Sequence, residues 1–260
     1  MEKIRISAVS YLNSLPFVYG LNHSALKADC DISLDIPSVC AEKLISGKVD
    51  IGLIPVAAIS QVTNANIISD YCIGANGKVK TVCLFSKVPL NEIKTILLDY
   101  QSRTSVMLVK ILAKEYWKIN AEFVNAEAGF EQNIKGTTAA VVIGDRAFGL
   151  TPSPSPKGEG SNVLLAYDLS QEWKNFTGLP FVFACWVANK NLPAAFISEF
   201  NNALKNGLDN IDKTLEEFPP SIINTAEAKK YLTENISYEL DEEKKRAMKL
   251  FISFADKNHY

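Results

Sequence analysis

Apolar residues alternate with polar ones at strand length over Ile4–Val9, and residues 31–37 repeat the pattern. A helix-start signal follows each. Asn13-Ser14 ahead of Leu15-Pro16 supplies a capping side chain with proline in the first turn, and Pro37-Ser38 opens a helix that Gly47 can close. Asp50-Ile51-Gly52-Leu53-Ile54 then reads as a buried strand, and Pro55 opens a short helix. Strand and helix in strict alternation predict an α/β domain with a mainly parallel sheet.

Between residues 67 and 85 the helical period disappears, which predicts extended chain leaving the first domain. A second alternating unit follows, with a strand at residues 95–98, a helix from about 103 to 117, a strand near Phe123 and a fully buried strand at 139–143. The apolar run Phe181-Val182-Phe183-Ala184-Cys185-Trp186-Val187 is placed to return to the first domain. The expected organisation is therefore a discontinuous first lobe, 1–85 plus 186–260, and a second lobe, 86–185. Phe196, Phe200, Leu204, Leu208, Ile211, Leu215 and Phe218 define one face of a long helix that Gly207 weakens slightly. A tail helix from Asp241 buries Ala247, Leu250, Phe251 and Phe254, and both helices are expected on the first lobe. The segment 151–161, rich in proline and glycine, is expected to be a solvated surface loop.

Composition narrows the function. With 260 residues and 47% hydrophobic side chains, the chain can build one large core or two modest ones. Its 27 basic against 29 acidic side chains leave no excess positive charge for a phosphate backbone or an anionic membrane surface, so neither nucleic acid nor membrane is expected as a partner. The start of the chain lacks an export signal, and the five cysteines show no CxxC spacing, which together predict a cytoplasmic protein with reduced thiols. His23 and His259 are the only histidines, so no metal site is expected. The hydrolase signature GxSxG and the nucleotide signatures GxGxxG and GxxxxGK[ST] are absent.

What remains is a set of helix starts stocked with small polar residues: Ser10-Tyr11-Leu12-Asn13-Ser14, Pro37-Ser38, Gln101-Ser102-Arg103-Thr104-Ser105, Gly144-Asp145-Arg146 and Thr177-Gly178-Leu179-Pro180. Free amide donors at helix starts carry partial positive charge, so several of them converging from two lobes would grip a small carboxylate. Each one alone is also an ordinary cap. Two of the four arginines, Arg103 and Arg146, fall in these segments, where a guanidinium could meet a carboxylate.

These blocks resemble a known family. Val9 through Pro16, Gly47 through Pro55, Ser102-Arg103-Thr104-Ser105, Ile143-Gly144-Asp145-Arg146-Ala147 and Asp168-Leu169 with Trp173 and Thr177 through Ala184 are similar, in order, to the chorismate dehydratases of the futalosine route to menaquinone. The resemblance implies a type II periplasmic-binding-protein-like α/β fold whose two lobes hold the ligand in the cleft between them. It implies that chorismate, the small-molecule substrate, loses its ring hydroxyl as water with the hydrogen on the ether-bearing carbon, giving 3-[(1-carboxyvinyl)oxy]benzoate. No metal or organic cofactor is implied. Asn13 is the expected catalytic residue, able to hold the leaving hydroxyl or the enolpyruvyl carboxylate, while the substrate's own carboxylate could act as base. Asp145 is the leading protein carboxylate, with a cap role as the alternative. Tyr11, Ser38, Thr81, Arg103, Thr104, Ser105, Thr177 and Gly178 are the expected binding residues. The chain departs from the family at the insert after Leu150 and at Thr81, where serine is common. Two other readings are a naphthoate synthase of the same pathway and a non-catalytic solute-binding protein for small anions. Oligomeric state is left open.

Overall fold

A computed structural model describes residues 3–150 and 164–258, so the expected loop at 151–161 lies outside the described residues. In chain order the first elements are β1 (Ile4–Val9), α1 (Leu15–Asn22), β2 (Cys30–Asp35), α2 (Pro37–Ile45), β3 (Ile51–Pro55) and β4 (Asn66–Ala75). A second group follows: β5 (Val82–Ser86), β6 (Thr95–Leu98), α3 (Thr104–Ile111), β7 (Glu122–Asn125), β8 (Thr138–Ile143), β9 (Leu165–Asp168) and α4 (Leu169–Thr177). The chain ends with β10 (Phe181–Ala188), α5 (Ala194–Asp209), α6 (Ile211–Glu217), α7 (Thr225–Lys230), β11 (Ser237–Glu239) and α8 (Glu242–Lys257).

Two separate sheets result, one ordered β11-β4-β10-β3-β1-β2 and the other β7-β6-β8-β5-β9. Each is mixed, where the alternating pattern predicted mainly parallel pairing. β1 runs parallel to β2 and β3, but β10 lies antiparallel between β3 and β4, because it enters from the other sheet and meets the first-sheet strands head to tail. β5 is likewise antiparallel to β8 and β9, beside the parallel set β7-β6-β8. By strand pairing, the chain passes from the first sheet to the second between Ala75 and Val82 and returns between Asp168 and Phe181. β3 and β10 are buried along their whole length, which explains their unbroken apolar sequences.

α5 packs across α1 at a distance only glycine permits. A Cβ built on Gly20 would lie 1.9 Å from the Ala203 carbonyl oxygen, and one on Gly207 would lie 1.7 Å from that of Pro16. Gly207 is thus a packing requirement and not merely a weak helix former. The expected long helix also breaks. Asn210, at φ −123° and ψ 42°, ends α5 and starts α6 at a new angle, so the apolar face continues on a second axis. Asp241 caps α8 by accepting the Lys244 amide, but the helix does not rest on the first lobe alone. Its Phe251 and Phe254 meet Trp173 of α4 edge-on at 6.1 and 6.2 Å, so α8 braces both sheets. Among the described residues, no helix is long and apolar enough to cross a membrane. All five cysteines are free and buried.

Candidate active site

The carboxyl ends of β1, β3 and β8 converge on one narrow cavity between the sheets, where crevices form in open α/β folds. Its polar lining is Tyr11, Asn13, Thr81, Ser102, Thr104 and Ser105, backed by apolar groups such as Val9, Ile73, Ile143 and Phe183. Among the described residues, no acidic, basic or histidine side chain is in that lining. The free space is only about 50 Å³, far below the roughly 300 Å³ at which small-molecule pockets begin, so the lobes stand closed on each other.

Asn13 reaches the cavity because the chain after β1 makes a short 3-10 turn, Leu12–Ser14, before Pro16 lets α1 begin. The expected cap is not made. Ser14 turns its hydroxyl back to the Val9 and Tyr11 carbonyl oxygens at 2.5 and 2.9 Å, leaving the Asn13 carboxamide at the cavity wall. Tyr238 fixes this turn from behind, its hydroxyl donating to the Asn13 carbonyl oxygen at 2.9 Å. Thr81, fully buried, shares a 2.7 Å hydrogen bond with the Tyr231 hydroxyl.

Hydrogen bonds cross the cleft at several points. The Tyr11 hydroxyl donates to the Gln101 side-chain oxygen, and the Ser38 amide donates to the Gln101 carbonyl oxygen at 3.1 Å. Thr104 accepts the Ala57 amide at 3.2 Å and donates to the Phe183 carbonyl oxygen at 3.1 Å. The Leu12 amide donates to both carboxylate oxygens of Asp145, at 3.1 and 3.2 Å. Burial pushes the Asp145 carboxyl up to about 6, against the opposing pull of that one amide. Burial, reinforced by nearby Asp99, also holds the Tyr11 phenol above its usual range.

The structure therefore brings together Tyr11, Asn13, Thr81, Thr104 and Ser105 of the expected set, and it places the others elsewhere. Ser38 contributes a backbone bond to closure while its neighbour Pro37 lines the wall. Arg103 points outward, to Gln61 Oε1 at 3.0 Å and Glu42 at 3.5 Å, because the first turn of α3 turns its side chain away from the face that carries Thr104 and Ser105. Thr177 and Gly178 terminate α4: the Thr177 hydroxyl donates to the Trp173 carbonyl oxygen at 2.8 Å, and Gly178, at φ +76°, makes the left-handed cap. Asp145 lines a separate recess with Ser10, Phe148 and Pro219. Arg146 meets a carboxylate, but a protein one, at 2.6 Å from Asp99 and 2.5 Å from Glu131. Among the described residues, no group of three or more His, Cys, Asp or Glu could hold a metal ion.

Gln101, Tyr231, Tyr238 and the buried Asp99 are site-forming residues that sequence reasoning did not single out. Gln101 stood in a polar helix start, so a signal existed. Tyr231 and Tyr238 had none, because their partners lie 150 and 225 positions away.

A family described as menaquinone biosynthesis matches residues 4–257. The chain is 28% identical over 230 residues to the chorismate dehydratase of Thermus thermophilus, covering 83% of each chain. Protein AF1704 of Archaeoglobus fulgidus superposes with a TM-score of 0.76 at 14% identity, covering 99% of this chain and 98% of that one. A Candida albicans protein with the generic periplasmic binding protein fold superposes with a TM-score of 0.58 at 12% identity, over 99% and 96%. The shared architecture is that of two-lobed binding proteins.

Proposed function

The chain belongs to the menaquinone biosynthesis family, and from that premise we propose that it is a chorismate dehydratase, a carbon-oxygen lyase acting in the cytoplasm. The observation that carries the reading furthest is the uncharged lining of the cleft. A reaction that ends in an aromatic ring is downhill, so the protein has to align bonds and assist proton movement without driving an unfavourable equilibrium. With no side-chain base at the wall, the substrate's own carboxylate takes the proton from the ether-bearing carbon. The C–H electron pair forms the new ring double bond, the C–O bond breaks, and the hydroxyl leaves as water with the proton that the carboxylate accepted.

Asn13 and Thr81 orient the leaving hydroxyl and a carboxylate. Ser102, Ser105 and the start of α3 supply further donors on the second lobe. Tyr11 and Asp145 close the lobes, since both reach across the cleft and Asp145 lies in a recess of its own. The cavity must widen for chorismate to enter, and these cross-cleft bonds are the ones that open.

Incubating purified protein with chorismate and following the appearance of an aromatic product tests the proposal directly. Binding without turnover would favour a solute-binding protein, and turnover only of a larger late intermediate would favour a naphthoate synthase. Asn13→Ala should lower turnover by about a hundredfold with the fold intact, as loss of a preorganised hydrogen bond does. Asn13→Asp, which puts a negative charge beside a dianion, should impair both binding and rate. Near-normal turnover by Asn13→Asp would remove the substrate-assisted mechanism.

A further inference from the structure

Tyr231 begins a π-helical turn, Tyr231–Asn235, that interrupts the end of α7, an irregularity often found beside functional sites. Its side chain is 2% exposed and packs edge-on against Phe148 at 5.1 Å. A buried hydroxyl must find partners, and this one meets the polar wall of the cleft: Thr81 Oγ1 is 2.7 Å away and the Asn13 side chain adjoins it. Tyr238, seven positions on, bonds the Asn13 carbonyl oxygen. One short stretch near the carboxyl end thus holds both residues assigned to the reacting atoms.

The chemistry of the Thr81–Tyr231 bond gives it a direction. Each hydroxyl has one proton, and a phenol, with a pKa near 10, is a better donor than an aliphatic alcohol. Burial keeps the Tyr231 phenol protonated. When Tyr231 donates to Thr81, the Thr81 proton is left to point into the cleft, where carboxylate and leaving-hydroxyl oxygens of a substrate accept it. The reverse arrangement would present lone pairs to an anion.

We propose that Tyr231 is a positioning residue: its hydroxyl orients the Thr81 proton toward the substrate, so that Thr81 acts as a hydrogen-bond donor in the transition state. This role rests on the dehydratase reading above.

The test is a double-mutant cycle of Tyr231→Phe and Thr81→Val, with kcat and KM measured on chorismate and folding checked by thermal denaturation. Tyr231→Phe should lower kcat about tenfold, the worth of one oriented hydrogen bond, with KM within about threefold. Because it acts through Thr81, the double variant should be no slower than Thr81→Val alone, whereas a merely structural role would make the losses multiply. Multiplying losses, or a Tyr231→Phe kcat within about twofold of the wild type, would overturn the role while leaving the dehydratase reading intact. A wild type that does not convert chorismate would overturn both. If Tyr231→Phe does not fold, 3-fluorotyrosine at position 231 keeps the hydroxyl and makes it a stronger donor. A change in kcat of more than about twofold is then expected, and an unchanged kcat would overturn the proposal.

Discussion

Asp99 and Asp145 follow neighbouring parallel strands of the same sheet, β6 and β8, and burial pushes both carboxyls up, yet only Asp99 has a cation to oppose it. Asp99 is almost wholly buried and fully paired: it accepts the Gln101 and Ile143 amides at 3.0 Å each and the Arg146 guanidinium at 2.6 Å. That guanidinium also stacks 5.7 Å from the Tyr100 and Phe130 rings and bonds Glu131. Asp145, the residue immediately before Arg146, receives a single backbone amide and no cation among the described residues. One turn of chain sends the arginine behind the wall, and it knits the second lobe together there. The carboxylate it leaves unpaired is the one that touches the other lobe. The same side-chain chemistry thus serves rigidity within a lobe and contact between lobes, according to where the cation goes.

The comparison breaks most visibly at Asp99. Asp99→Ala leaves the Gln101 and Ile143 amides unpaired in the interior and Arg146 with Glu131 as its remaining carboxylate, and should cost about 3–5 kcal/mol in denaturant unfolding. A loss no larger than that from Asp145→Ala would erase the distinction.

Asp145 sharpens it through pH. The folded protein holds the Asp145 proton up to about pH 6, while an unfolded chain releases it near 4. Between those values the folded state binds more protons, so wild-type stability falls as pH rises through the window. Asp145→Asn keeps an acceptor for the Leu12 amide without the buried charge. It should therefore match the wild type near pH 4 and exceed it by up to about 3 kcal/mol above pH 6. Thermal melts across that range check the sign, and an advantage independent of pH would mean that Asp145 ionises without penalty.

The smallest effect is expected at Arg103, whose two partners lie at a partly solvated edge. Arg103→Ala should change stability by about 0.5 kcal/mol and KM by less than about threefold. A tenfold rise in KM would show that the guanidinium swings into the open cleft.

The sequence pattern made most of the strands, though not β9 or β11, the two-sheet plan and the starts at Pro16 and Pro37 legible, because proline and apolar period act locally. It also pointed to Asn13, Thr81, Thr104 and Ser105 as neighbours of one cavity, through the resemblance and the polar helix starts. It misdirected at Arg103 and Arg146. Both sit in the right turns, but the partner each side chain finds, Glu42 on the first lobe for Arg103 and Asp99 within the second lobe for Arg146, is remote in the chain. The antiparallel entry of β10 was hidden for a similar reason: strand periodicity carries no direction.

The glycine contact between α1 and α5 has a consequence for anyone engineering this protein. Exchanging helical glycine for alanine is a standard way to raise heat resistance, since it narrows the unfolded ensemble. At Gly20 and Gly207 the added methyl would run into a backbone carbonyl, and relief requires the two helices to move apart. α1 starts immediately after the turn that carries Asn13, so the displacement would pass directly into the wall of the cleft. A library built on that rule would lose these clones as inactive enzymes as well as unstable ones, and the pair belongs on the list of positions left untouched.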